Sequence, residues 1–197
     1  DNYFWMRLSD KQKNAETPDE QTQKVLQYLN AENDYLDASL AHTKELQASV
    51  FEEIKGRIKQ DDESVPVFDN GYFYYTKYEE GKEYPLHFRK MGSLDAEPEL
   101  LLNVNILAEG KKYCGVSRLS VSPDNTILAY GVDYVSRRRY DIHFLDLNKG
   151  EYLNGVIPNT TGSVVWAADN KTVFYVTKDE QTLRSDRIIR HKLGTDT

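Results

Sequence analysis

The stretch LSVSPDNTILAYGVD, residues 119–133, decides the fold, because it is written three times. In it, Asp124-Asn125 precedes a short apolar run that reaches Tyr130. VVWAADNKTVFYVTKD, residues 164–179, carries Asp169-Asn170 to Tyr175, and VFDNGYFYYTK, residues 67–77, carries Asp69-Asn70 to Tyr75. Asp and Asn hold tight turns through side-chain bonds to backbone, and alternating aromatic and β-branched residues after such a turn read as a strand.

The surrounding residues extend the pattern. Strands are expected at Val65–Phe68, Tyr72–Tyr78, Tyr84–Lys90 and Glu99–Leu102, with turns at Asp69-Asn70-Gly71 and Glu80-Gly81-Lys82. A second set follows at Leu119–Val121, Thr126–Asp133, Tyr140–Leu147 and Glu151–Ile157, and a third at Val164–Trp166, Lys171–Thr177 and Asp186–Leu193. Tyr84-Pro85-Leu86-His87-Phe88 also matches Tyr140-Asp141-Ile142-His143-Phe144. Four short antiparallel strands repeated every ~40–50 residues are the mark of β-propeller blades, each of which buries its faces only by stacking on its neighbours. The expected fold class is therefore mainly β: a partial β-propeller preceded by an N-terminal antiparallel helical pair. Blades fall at about 64–112, 113–160 and 161–197, and a ring needs about four to eight of them, so the chain is expected to be part of a longer protein.

Residues 1–63 follow a different period. Thr17-Pro18-Asp19-Glu20 reads as a helix start with Thr17 as cap, and Val25, Leu29, Leu36 and Leu40 then share one face. A second helix is expected from Thr43, with Leu46, Val50, Ile54 and Ile58 as its stripe and Phe51 beside it. Each stripe requires a body to cover it.

Composition narrows the partners. Thirty-two acids against 25 bases leave a net charge of −7, which repels a phosphate backbone, so nucleic acid is not expected. No run approaches the ~20 apolar residues of a membrane span, so no membrane partner is expected. The 14 Tyr and 7 Phe suit half-buried sheet surfaces. The first residue is Asp, so compartment is not legible at that end; cytoplasm is favoured over bacterial periplasm.

The search for chemistry returns little. Gly115-Val116-Ser117-Arg118-Leu119 lacks the second glycine of a nucleophile elbow. Cys114 has no partner thiol and reads as a small buried hydrophobe. His42, His87, His143 and His191 are dispersed, with His87 and His143 at equivalent repeat positions, so no metal site and no cofactor is expected. Asp61-Asp62-Glu63 reads as a solvated hinge, and Trp5 and Trp166 as packing residues. Asp124 and Asp169 read as turn holders. The feature left open is Arg137-Arg138-Arg139, placed between the second and third strands of its blade: either a solvated loop, or charges that dock a second domain or a peptide carboxylate.

Several segments together resemble the prolyl oligopeptidase family of serine peptidases. They are Asp1–Arg7 (with Asn2 where proline is common), Tyr28–Tyr35, Arg57–Pro66, Glu80–Pro85 and Gly162–Asn170, and they look most like its oligopeptidase B (protease II) members. The resemblance implies a seven-bladed propeller that gates a C-terminal α/β-hydrolase domain, onto which residues 1–60 would pack. It also implies cleavage of short peptides after Arg or Lys by a Ser, Asp and His triad. Triad and main specificity acids would lie in the part of the protein beyond this chain, so no catalytic residue is carried over. Asp61, Asp62 and Pro66 would form the hinge. The alternatives are a free-standing propeller binding module and another propeller-bearing hydrolase of dipeptidyl-peptidase type.

Overall fold

The computed structural model describes residues 1–195 as two compact units, Asp1–Lys59 and a second that begins at Gln60.

In the first unit a 3-10 turn, Phe4–Met6, is followed by α1 (Asp10–Lys13), α2 (Glu20–Leu40), a second 3-10 turn (Ala41–Thr43) and α3 (Lys44–Gly56). α1 is absent from the sequence reading, although Ser9 and Gln12 close a capping box on it. The cap of α2 is Asp19 rather than Thr17: its carboxylate accepts the Thr22 N–H at 2.8 Å. A carboxylate suits the positive end of a helix better than a hydroxyl, and the start falls two residues later. Thr43 does precede α3, but without a side-chain capping bond. Trp5 packs edge-on to Tyr28 at 5.7 Å, with the Lys24 ammonium 5.2 Å from its ring, which ties the N-terminal turn to α2.

The apolar stripe is covered only near its beginning. Val25 is buried, whereas Leu36 is 55% exposed, Leu46 65% and Ile58 64%. The helices follow one another through the 3-10 turn, which both of them contact.

The second unit is β throughout apart from one short helix. A four-stranded antiparallel sheet runs in sequence order through β1 (Val67–Asp69), β2 (Tyr72–Lys77), β3 (Leu86–Met91) and β4 (Glu99–Asn103). After α4 (Val104–Leu107) come β5 (Gly115–Val116) and β6 (Ser120–Val121), which both pair with β7 (Ile127–Asp133). Then follow β8 (Tyr140–Asp146), β9 (Glu151–Tyr152), β10 (Ile157–Trp166), β11 (Thr172–Lys178) and β12 (Ser185–Lys192). β1 starts later than expected: Pro66 has no N–H to donate, and Ser64 instead exchanges bonds with Thr76.

The expected blade edge at residues 160 and 161 falls inside β10. Its first half pairs with β8 through Ile157 and Thr160, and its second half pairs with β11 through Val164, Val165 and Trp166. One strand is thus the outer strand of the second blade and the inner strand of the third. The expected strand Glu151–Ile157 is correspondingly split, with Gly155 at φ 99° between β9 and β10. At the pivot Gly162 adopts φ 90° and lies against Gly131 of β7; a Cβ on Gly131 would come within 2.6 Å of Gly162 Cα.

Two cores separate the three sheets. Leu128, Tyr130 and Val132 of β7 pack with Leu101, Leu102, Val104 and Cys114. The opposite face supplies Ala129, which joins Ile142, Phe144, Ile157, Val164, Val173 and Tyr175. This period-two division of β7 puts a blade on each side of it. The tyrosines that end the repeated phrase, Tyr75, Tyr130 and Tyr175, are all buried. Trp166 bonds the Ser120 carbonyl at 3.2 Å and meets Phe144 edge-on at 6.0 Å, as a packing residue between blades.

Candidate functional site

The repeated Asp-Asn phrase divides its labour. The Asp holds its own turn: Asp169 accepts from Lys171 N, Thr172 N and Thr172 Oγ1, which lowers its pKa to about 2. For Asp124, burial works upward, but bonds from Ser122 and Thr126 outweigh it and leave the carboxyl below its ordinary value. The Asn, at φ 43°, 63° and 59° in Asn70, Asn125 and Asn170, reaches the equivalent turn of the neighbouring blade. Asn70 Nδ2 donates to the Pro123 carbonyl at 2.8 Å and to Asn125 Oδ1 at 3.2 Å, and Asn125 Nδ2 donates to the Asn70 carbonyl at 3.1 Å. The Asp124 N–H donates to Asn170 Oδ1 at 3.0 Å. The phrase is therefore a ladder from blade to blade.

Arg89, which sequence reasoning passed over, pins the same junction. It is 4% exposed, forms a two-point pair with Glu99 at 2.7 and 2.9 Å, and donates to the Asn125 carbonyl at 3.0 Å. Its guanidinium lies 4.2 Å from the centre of the Tyr72 ring.

On the far end of the blades, the β7–β8 loop carries the three arginines. It is fixed from beneath by Asp133, whose buried carboxylate accepts the Val135 N–H at 2.8 Å and the Arg138 N–H at 2.6 Å. Ser136 and Arg138 sit at φ 57° and 55°, a left-handed geometry that L residues adopt at a cost. Lys178 Nζ donates to the Arg138 carbonyl, and Arg139 Nε donates to Asn159 Oδ1 at 3.1 Å with Glu180 4.0 Å away. Arg139 is committed within the blades. Arg137 and Arg138 are exposed, and their guanidinium groups have no ion-pair partner among the described residues. Asp133 was missed in the sequence; an acid that closes a strand just before a charged loop was its only signal.

The loop of residues 108–114, between α4 and β5, reaches the same rim. Lys111 holds its ammonium 5.1 Å over the Tyr134 ring, and Lys112 and Tyr113 follow, both exposed.

Elsewhere the side chains are structural. His87 and His143 lie opposite Thr76 and Tyr130, each with its pKa lowered by burial. Burial pushes the Cys114 thiol up. No group of three or more His, Cys, Asp or Glu among the described residues could hold a metal, and no helix among them is long and apolar enough to cross a membrane. An open cleft of about 1000 Å³ runs along the inner strands, lined by Val67, Asp69, Arg118, Ser120, Ser163 and Val165 among others. Of the acidic segment, the Asp62 main-chain carbonyl accepts the Tyr78 N–H at 2.8 Å and Glu63 forms a backbone β-bridge with Lys77, so these residues extend the first blade.

Two four-strand repeats and a third of three strands, joined by an Asn ladder, define a partial β-propeller with no catalytic constellation among its described residues. The chain belongs to the prolyl oligopeptidase N-terminal β-propeller family, whose model matches residues 1–197. Dipeptidyl aminopeptidase BI of Pseudoxanthomonas mexicana is 41% identical over 99% of the chain, and Protease 2 of Moraxella lacunata is 32% identical over 100%. The chain spans 28% of the length of each. Among solved structures, oligopeptidase B from Leishmania major superposes with a TM-score of 0.82 at 33% identity, over 98% of this chain and 26% of that one. Oligopeptidase B from Trypanosoma brucei, with covalently bound antipain in a closed form, gives 0.80 at 30% identity, over 99% and 26%.

Proposed function

We propose that the chain is the non-catalytic N-terminal portion of a serine oligopeptidase that hydrolyses short peptides after Arg or Lys. In this reading the propeller limits access to a C-terminal α/β-hydrolase domain in the same polypeptide. The observation that carries it is the family match along the whole chain, combined with coverage of only 26–28% of the peptidases it resembles. Sheet faces left bare in the second unit support a larger ring. Phe68 (58% exposed) and Leu100 (48%) mark one such face in the first blade, and Val165 (68%) and Ile188 (78%) another in the third. Exposed apolar surface of this kind is covered in a finished protein. The bare stripe of α2 and α3 supports a docking role for residues 1–63 on the hydrolase domain. Asp61, Asp62 and Pro66 would connect this segment to the propeller at 64–197. Arg137 and Arg138 would place positive charge toward a carboxylate, while Arg139 stays with Asn159 and Glu180.

A second reading, an aminopeptidase that releases dipeptides, is favoured by the 41% identity to dipeptidyl aminopeptidase BI. A fluorophosphonate probe and two substrates decide the matter. The full-length product of the gene should be labelled by the probe and should cleave a blocked peptide after Arg or Lys. Cleavage only of unblocked dipeptide substrates would favour the second reading, and the absence of labelling would reject both. The 197-residue chain alone should not react.

A further inference from the structure

One rim of the blades carries four cations that have no hydrogen-bond or ion-pair acceptor among the described residues. Arg137 and Arg138 come from the β7–β8 loop, and Lys111 and Lys112 from the loop of residues 108–114. The two loops meet where the Lys111 ammonium stacks 5.1 Å over Tyr134. Burial raises the pKa of Tyr140, with Tyr113 and Asp133 adding to the rise and Arg138 opposing it. A chain of net charge −7 has carboxylates to spare, and Asp179 and Glu180 lie in the adjoining loop. Yet Asp179 is spent on its own loop, accepting from Gln181 N, Thr182 N and Thr182 Oγ1, and Glu180 faces Arg139.

This loop is also held rigidly. A buried carboxylate, Asp133, is spent entirely on its backbone, and two non-glycine residues keep a left-handed backbone. Conformational strain maintained by surrounding bonds is a feature of ligand clamps. Here it fixes the backbone that carries Arg137 and Arg138, two consecutive residues whose planar donor forks match a carboxylate. The exposed Tyr134 (37%), Tyr113 (37%) and Val135 (64%) beside them give apolar contact for the residue that bears the carboxylate.

We propose that Arg137 and Arg138, assisted by Lys111 and Lys112, bind the free C-terminal carboxylate of a short peptide, and so select the trailing end of a substrate. This rests on the peptidase reading above for its choice of a peptide. Asp133 acts as a positioning residue, through the loop backbone and without touching the ligand.

The test is an NMR titration of the full-length product, segmentally isotope-labelled over residues 1–197, with acetyl-Ala-Ala-Phe, as free acid and as C-terminal amide, beside acetate and inorganic phosphate. The free acid should shift the resonances of residues 134–139 and Tyr113 and bind about tenfold more tightly than the amide, the scale of a lost charge-assisted pair. Arg137→Gln/Arg138→Gln should abolish that preference, and Lys111→Gln/Lys112→Gln should reduce it. All four residues are exposed, so these variants keep the fold. Equal binding of acid and amide, or an unchanged preference in the arginine variant, would overturn the proposal. Displacement by phosphate at equal concentration would overturn the peptide assignment in favour of simple anions. In the full-length enzyme the arginine variant should raise KM for free-acid peptides alone, with kcat unchanged. If it left that KM in place and instead sped proteolytic nicking near Gln60, the occupant would be another part of the polypeptide, and the proposal would again fail. Fluorophosphonate labelling reports the peptidase reading independently of all these outcomes.

Discussion

Gly131→Ala tests the packing of the second blade on the third. Gly131 lies in the middle of β7, where alanine is ordinarily better than glycine by roughly 0.5–1 kcal/mol because it has less conformational freedom to lose. The added Cβ, however, would stand 2.6 Å from Gly162 Cα, 2.7 Å from Gly162 O and 2.8 Å from Ser117 Oγ. Ordinary carbon contacts are about 3.5–4.0 Å, so the shortfall is roughly 1 Å. Two of the three obstacles are backbone atoms of β10, which is hydrogen-bonded on both sides. Ser117 Oγ is no easier to move, since it donates to Gly162 O at 2.6 Å and accepts the Gly131 N–H at 2.8 Å. Overpacking of this kind costs about 1–3 kcal/mol, which exceeds the entropic gain. With that gain subtracted, a net loss of about 0.5–2 kcal/mol should lower the urea midpoint by about 0.25–1 M for a slope near 2 kcal/mol/M. Ser117→Gly added to the variant should recover less than half of the loss, because the backbone clash remains. A midpoint equal to or above that of the parent chain would refute the close approach of the two strands.

Asn125→Gly keeps a residue at ease at φ 63° but deletes the side chain that meets Asn70, so it should cost about 0.5–1.5 kcal/mol in urea unfolding. Asn125→Ala should cost about 1–2 kcal/mol more, since it adds left-handed strain; equal losses would show that only the bonds matter. Asp169 has a folded pKa of about 2, lowered from an ordinary 3.8. Its contribution is complete above the unfolded value and disappears as pH falls through about 2, so the stability gap between the parent and Asp169→Asn should close between pH 4 and pH 2, as read by urea midpoints. Asn154-Gly155 sits in the open loop before β10, whereas the amide of Asn70, before Gly71, is bonded across the blades. On storage at pH 8, peptide mass spectrometry should find isoaspartate accumulating at Asn154 well before Asn70.

Much of this architecture was readable because a propeller writes its plan locally. A turn phrase fixes each hairpin, and the tyrosine five residues after each Asn lands in a core at 8%, 1% and 6% exposure. What escaped the sequence depends on partners far along the chain. Asn70 and Asn125 are 55 positions apart, so their ladder appears only when the blades stack. The blade edge inside β10 escaped for a similar reason: the register shifts between Thr160 and Val164, around Gly162, where the strand changes partner. Asp19 displaced Thr17 because two good capping residues stood together and only geometry chooses between them. Of the candidate site, the arginines were visible as a cluster. Asp133, the residue that holds their loop, was hidden among ordinary strand residues, and Lys111 lay in what reads as a featureless connection.

The strand shared by the second and third blades has a practical corollary. Mechanical load applied along β10 passes from one sheet into the next without crossing a loop, so the pair should rupture as a single event in a pulling experiment. The first blade, joined to them by side-chain latches and α4, should come away separately and at lower force. Anyone recombining blades from related chains would therefore do better to splice in the connection of residues 108–114 than at residue 160.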